Sequence, residues 1–356
     1  MLLLAVCIIL FSKALDYQKE NARLAQKNED LQVSLNRIAG VSTGSDLPVE
    51  NLDVDEMIEA EENRQEESMA DLSDANDMKA LIREYAEQGK SFISTLKAVF
   101  SDQFVLADEG RFYFKDIDPT LRPYSYDSSL IELSSDGIIS YDDETAEVTY
   151  GIDVSQYNGE IDWETMKNSE SRPDFVYVRL GIRGYQSGKL VPDTQVSANL
   201  IGARDTGAEV GVYFVTQAVN EEEAREEARF VIETLSDNSI DLPVALDVEK
   251  VETYDTEPRT KNLSPEDYTK NVLAFADEMD KLGHETIIYG NGKSFMLMMD
   301  VSMIDDMGKW FADYVAKDDY IPYFPYDFSI WQFTSQGRVP GVTGDCDLNI
   351  KIVKTE

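Results

Sequence analysis

From Tyr150 to Tyr289, apolar runs of strand length alternate with stretches of helical periodicity, and that rhythm leaves few folds open. The strand-like runs are Tyr150–Ser155, Phe175–Leu180, Val210–Val215, Val244–Val248 and Thr286–Tyr289. Helical periodicity lies near Asp162 and across Asp193–Thr206, Asn220–Leu235 and Pro265–Leu282, with Asn220 and Ser264 placed as N-caps. Parallel strands need a crossover between them, so repeated strand–helix units predict a parallel α/β barrel. After Tyr289 the runs Trp310–Tyr314, Ser329–Phe333 and Cys346–Ile350 are joined by connections with little room for long helices. The predicted fold is therefore α/β, a TIM-like (β/α)5(β)3 barrel over residues 149–356, closed by three bare strands.

The fourth run ends in Leu246-Asp247-Val248-Glu249. Side chains two apart on a strand point the same way, so Asp247 and Glu249 are expected to project together from its carboxyl end. With 69 acidic residues in 356, acid-x-acid pairs arise by chance on the order of ten times, and spacing alone says little. The apolar run leading into this pair sets it apart, because a solvated acidic loop does not need one. Barrel enzymes place their chemistry where strands end. Asp153 falls near the end of the first strand and Asp347 within the last, while Tyr213, Tyr289, Trp310, Tyr314, Trp331 and Gln332 fall at matching places. Acids ringed by aromatic and amide groups suit a sugar site, although for any single aromatic, such as Tyr213 or Trp331, a core role is the commoner one.

Other chemistries are poorly supplied. His284 is the single histidine, which disfavours a histidine-rich zinc site or a Ser-His-Asp triad. The two cysteines, Cys7 and Cys346, lie near opposite ends of the sequence, so no structural disulfide is expected; Cys346 adjoins Asp347 but has no nearby histidine to activate it. A net charge of −37 argues against nucleic acid as a partner. No metal and no cofactor are expected.

Ahead of the barrel the sequence divides into four stretches. Residues 1–13 carry an uninterrupted apolar run, Met1 to Phe11, which at helical rise covers about 16 Å, roughly half a bilayer core. It reads as a signal segment or part of a membrane anchor. Residues 14–40 place Leu24, Leu31 and Ile38 at one heptad position and Asn21, Asn28 and Leu35 at its partner, the pattern of a helical stalk that could pair as a coiled-coil homodimer. Residues 41–76 form an acidic linker, with eleven acidic residues and only Arg64 as a base between Asn51 and Lys79. Residues 77–148 read as a small α+β segment: one amphipathic helix to about Asp102, then strands at Arg111–Lys115 and Ile138–Tyr141.

Eight motifs then carry a resemblance. They are Gly151-Ile152-Asp153-Val154-Ser155, Ile161-Asp162-Trp163, Val178-Arg179-Leu180-Gly181, Val212-Tyr213-Phe214, Leu246-Asp247-Val248-Glu249, Trp310-Phe311-Ala312-Asp313-Tyr314, Ile330-Trp331-Gln332-Phe333 and Asp347-Leu348-Asn349. In this order they resemble the glycoside hydrolase family 25 lysozymes, whose barrel is similar to the one read above. The resemblance implies hydrolysis of the β-1,4 bond between N-acetylmuramic acid and N-acetylglucosamine in peptidoglycan. It implies Glu249 as general acid and Asp247 as the group orienting the substrate's 2-acetamido group. It further implies that Asp153 and Asp347 complete an acidic floor and that Tyr213 holds the acetamido group. Where that family often has Gln-Gly after its first motif, this chain has Asn158-Gly159, and no histidine stands at a site position. An exported, membrane-tethered enzyme of the cell surface follows as the expectation. A non-catalytic peptidoglycan-binding scaffold, or a glycosidase of another N-acetylated polysaccharide such as chitin, stands as the alternative.

Overall fold

The computed structural model describes residues 77–124, 126–251, 256–314 and 320–354. The apolar leader, the stalk with its dimer contact and the acidic linker lie outside the described residues. Residues 78–356 form one compact unit. Among the described residues no helix is long and apolar enough to cross a membrane.

The single amphipathic helix expected up to Asp102 is two. Residues 77–87 are helical, Gly89 follows at φ 69°, and a second helix runs over Phe92–Val99. Glycine takes the left-handed conformation that stops a helix, and Ser91 then caps the next by accepting from the Ser94 N–H at 3.1 Å. Two short antiparallel hairpins follow: β1 (Gln103–Asp108) with β2 (Arg111–Asp116), and β3 (Ile131–Leu133) with β4 (Ile139–Tyr141). The sequence pattern had shown one strand of each.

The barrel uses β5 (Ala146–Val154), β6 (Phe175–Arg183), β8 (Glu209–Val215), β9 (Val244–Asp247), β10 (Thr286–Asn291), β11 (Gly308–Ala312), β12 (Ile330–Gly337) and β13 (Cys346–Lys354), with β7 (Leu190–Pro192) pairing on the outside of β6. The chain closes on itself because β5 pairs with both β6 and β13. Seven barrel strands run parallel; β13 runs antiparallel to both its neighbours. That direction decides where Asp347 lies. It opens β13, and the start of an antiparallel strand meets the carboxyl ends of the parallel ones.

Helices Trp163–Lys167, Val196–Thr206, Glu221–Leu235 and Pro265–Lys281 follow the first four barrel strands. The longer two begin at Asn220 and Ser264, each of which accepts a backbone N–H three residues on. After β10 the helix is reduced to a π-helical turn, Ser294–Met298, and a 3-10 turn, Val301–Ile304.

Inward-pointing side chains fill the barrel below the strand ends: Phe175, Tyr177, Ala245, Ile287, Trp310 and Ile330. Room for the rings comes from missing side chains. A Cβ on Gly151 would lie 2.2 Å from the Phe175 ring, and one on Gly211 would lie 2.5 Å from the Tyr177 ring. Tyr177 and Trp310 pack with centroids 4.5 Å apart and form an apolar floor beneath the polar layer.

Candidate active site

Above that floor lies a cavity of about 570 Å3, lined by the four acids Asp153, Asp247, Glu249 and Asp347 together with Tyr213, Tyr289, Trp310, Tyr314 and Gln332. Strand geometry explains the gathering. Asp153 and Asp247 sit near the ends of parallel strands, Asp347 begins the antiparallel one, and Glu249 lies two residues beyond the end of β9.

Trp331 does not line this cavity and is corrected to a core residue. Gln332 points into the barrel, so its neighbour on the strand points out. Trp331 is 2% exposed, packs edge-on to Phe333 at 6.0 Å and donates its indole N–H to the backbone carbonyl of Asp313 at 2.8 Å.

One hydrogen-bond network organises the interior. Trp310 donates Nε1–H to Asn349 Oδ1 at 2.8 Å, and Asn349 donates Nδ2–H to Asp153 Oδ2 at 2.9 Å. Gln332 donates Nε2–H to the same Asp153 oxygen at 2.8 Å, while its own Oε1 accepts the hydroxyls of Tyr289 and Tyr314 at 2.8 and 3.0 Å. An indole N–H can only donate, so it fixes the oxygen of Asn349 toward Trp310 and its NH2 toward Asp153. Asp153 thus receives two amide donors, which suit a carboxylate and not a carboxylic acid.

Among the described residues the other three acids receive no such side-chain donors. Burial raises Glu249 above the ordinary range, and the charge of Asp153 adds to it. Burial pushes Asp347 up to about 8, helped by Asp153 and then Glu249. Burial raises Asp247 well above the usual carboxylate range, Glu249 and Asp153 adding to it while Arg179 opposes. Burial also lifts Asp153, to about 6, against the pull of its two amides. Carboxyls crowded round one cavity resist ionising together, and among the described residues Asp153 is the one of the four with amide donors that favour its charged form. Asp247 leaves a buried Oδ1 without a partner in the cavity wall, an atom positioned to meet a ligand.

Sequence reasoning passed over Asn349, Arg179 and Tyr157 as site residues, while Asn158, singled out as a departure from the family's pattern, lines the cavity. Asn349 carried a signal, since it lies two residues from Asp347 and shares its face. Arg179 carried one too, as the lone charge inside the apolar run Phe175–Leu180. A bulge between β6 and β8 follows Arg179. Its guanidinium pairs with the buried Asp193 through Nε and Nη2, both at 2.8 Å, and lies 4.7 Å from the Tyr157 ring centroid. Cys346 is buried on β13 at 1% exposure, and burial raises its thiol far above the range in which a thiolate forms.

Residues 152–342 match the model for "Glycosyl hydrolases family 25", over half of the chain. The protein YegX of Escherichia coli K12 is 27% identical over 206 residues, covering 56% of this chain and 68% of that protein. Among solved structures, the modular autolysin LytC of Streptococcus pneumoniae is 22% identical with a TM-score of 0.48, over 71% of this chain and 57% of that one. The Clostridium perfringens spore cortex lytic enzyme SleM is 23% identical with a TM-score of 0.48, over 60% of this chain and 69% of that one. The chain belongs to glycosyl hydrolase family 25.

Proposed function

We propose that this family 25 glycosyl hydrolase is an N-acetylmuramidase that cleaves the β-1,4 bond between N-acetylmuramic acid and N-acetylglucosamine in peptidoglycan. One observation carries the reading: four carboxyl groups converge on one aromatic-walled cavity, and their surroundings pull their proton affinities apart. Glu249, half-buried and without a hydrogen-bond donor among the described residues, is the general acid that protonates the departing glycosidic oxygen. Asp247 uses its unpartnered oxygen to orient the 2-acetamido group, which attacks the anomeric carbon from within the substrate. Asp153, charged and fixed by Asn349 and Gln332, stabilises the positive charge that develops on the sugar ring. Asp347 borders the same cavity, and Tyr213 and Tyr314 offer hydroxyls to the sugar.

The enzyme works in remodelling of the producer's own wall, held at the cell surface by its N-terminal segment. Fractionation of producing cells tests the location; recovery of the chain only from the cytosol would remove it.

Mass spectrometry of purified peptidoglycan digested by the full chain tests the reaction. Fragments ending in reducing N-acetylmuramic acid, absent with Glu249→Gln, are the expected result. Wall binding without cleavage by the folded wild type would favour a scaffold, and cleavage of chitin oligomers in preference to peptidoglycan would reassign the substrate.

A further inference from the structure

Glu249 and Lys250 are neighbours in sequence that face opposite ways. Glu249 lines the acidic cavity, while Lys250 lines a separate cleft of about 1370 Å3 between the barrel and the β1–β2 hairpin. Lys293, two residues past the end of β10, lines that same cleft. Both lysines end on one carboxylate: Lys250 Nζ lies 2.7 Å from Asp108 Oδ2 and Lys293 Nζ lies 2.8 Å from Asp108 Oδ1. Asp108 is 7% exposed, and it ends β1.

The hairpin is built to present these acids. Its two-residue turn is Glu109-Gly110, with φ of 48° and 74°. A turn with two positive φ values favours Asn-Gly or Asp-Gly, so glutamate at the first position carries backbone strain. Its carboxylate is spent on Lys250, 2.8 Å away. The rest of the hairpin is docked on the same strand ends. Phe104 stacks on Tyr323 at 4.6 Å, its ring would lie 3.1 Å from a Cβ on Gly292, and the Val105 N–H donates to the Tyr323 hydroxyl at 2.9 Å. The family match begins at residue 152, so this hairpin lies outside it.

We propose that Asp108 is a positioning residue of the active site: the hairpin holds Lys250 and Lys293 on the far side of the β9 and β10 strand ends, so that neither ammonium turns toward Glu249. The inference rests on Glu249 being the general acid. A lysine turned toward a carboxylate at 4–6 Å favours the ionised form and costs it the proton it must donate. Lys250 is held by Glu109 as well as by Asp108, so its ammonium is released next to the Glu249 backbone only when both carboxylates are removed. The other titratable and charged groups facing the cavity are Asp153 on β5, Tyr157 after it, Arg179 on β6, Tyr213 on β8, Asp247 on β9, Tyr289 on β10, Tyr314 after β11, and Asp345 and Asp347 at the start of β13, and none of them changes in the test.

The test compares full-length wild type, Asp108→Asn with Glu109→Gln, that pair with Lys250→Met and Lys293→Met added, and Tyr323→Phe. In the pH profile of kcat/KM on peptidoglycan, the paired Asp108→Asn and Glu109→Gln change, which removes both carboxylates from Lys250, is expected to move the basic limb to lower pH by about one unit, a roughly tenfold loss on that limb. Removing both lysines as well restores the limb, which repair of a merely structural defect would not do. Tyr323→Phe removes the hydrogen bond from the Val105 N–H but keeps Asp108 on both lysines, and leaves the limb in place. A second readout is the midpoint of Glu249 in carboxyl 13C NMR, its signal identified by loss in Glu249→Gln. An unmoved limb with an unmoved midpoint, or a shift that the lysine substitutions fail to reverse, overturns the proposal. If wild type leaves peptidoglycan intact, the functional reading fails by itself, and the Glu249 midpoint still decides whether Asp108 and Glu109 govern it.

Discussion

Asp153 and Asp347 stand directly opposite each other in the antiparallel pair of β5 and β13. Residues so placed have Cβ atoms about 4.5–5.5 Å apart, and like charges there repel. The structure relieves this unequally. Asp153 takes both amide donors, and Asp347, with burial and the charges of Asp153 and Glu249 acting on it, is pushed up to about 8.

A stability prediction follows from that asymmetry. An unfolded aspartate loses its proton near pH 4, whereas folded Asp347 keeps it until about 8, so between those values the native state binds more protons. Its contribution is therefore present at low pH and is lost as pH rises from about 4 to about 8. Asp347→Asn should be more stable than wild type at pH 8 and close to it at pH 4, by urea midpoint. An equal difference at both pH values would mean the repulsion is absent.

Asn349→Leu should do two things at once. It strands the Trp310 N–H in the barrel interior, costing about 1–3 kcal/mol in chemical denaturation. It also removes one of two donors from Asp153, so that carboxyl climbs further and the acid limb of the activity profile moves to higher pH. A stability loss with an unmoved acid limb would show that Asp153 does not need its charge.

The barrel was legible because its signals are local: each strand and helix declares itself by period, and their alternation admits few topologies. Asp153, Asp247 and Glu249 were legible as strand-end acids for the same reason. Strand direction was not, since the residues of β13 read the same either way, and only pairing with β5 shows why Asp347 joins the others. Trp331 was misplaced because an aromatic beside a site residue on a strand belongs to the opposite face. Asn349 and the Asp108–Lys250 contact depend on partners 196 and 142 residues away in sequence, where no periodicity reaches.

The Arg179–Asp193 pair should behave as a buried ion pair. Asp193→Ala leaves Arg179, its side chain 10% exposed, without its partner and should cost about 3–5 kcal/mol in thermal or urea unfolding. Arg179→Met with Asp193→Leu should cost less than Asp193→Ala alone, because no charge is then left buried. A double variant as unstable as the single would assign the loss to the Asp193 bonds with the N–H groups of Gln156 and Gln195.

Cys346→Ala should retain activity within a few-fold, and iodoacetamide should leave Cys346 unlabelled in the folded enzyme, since burial keeps its thiol protonated. Peptide mapping separates its labelling from that of Cys7. Rapid labelling of Cys346 with matching loss of activity would return cysteine chemistry to consideration.

The barrel floor offers a test of how packing reaches the chemistry. In Gly151→Ala the new methyl would sit 2.2 Å from ring atoms of Phe175, so the ring must move, at a cost of about 1–3 kcal/mol. Phe175 meets Tyr177 edge-on at 6.3 Å, and Tyr177 packs on Trp310 at 4.5 Å. Trp310 holds Asn349, and Asn349 holds Asp153. Displacing the ring should thus lower kcat, by about tenfold for a small misplacement of the charged group, at temperatures where the variant is still folded. Phe175→Leu vacates the space that the methyl needs. Combined with Gly151→Ala it should be less destabilised than the two single changes together, with kcat partly recovered. Strict additivity in stability and kcat would show that Gly151 and Phe175 act independently.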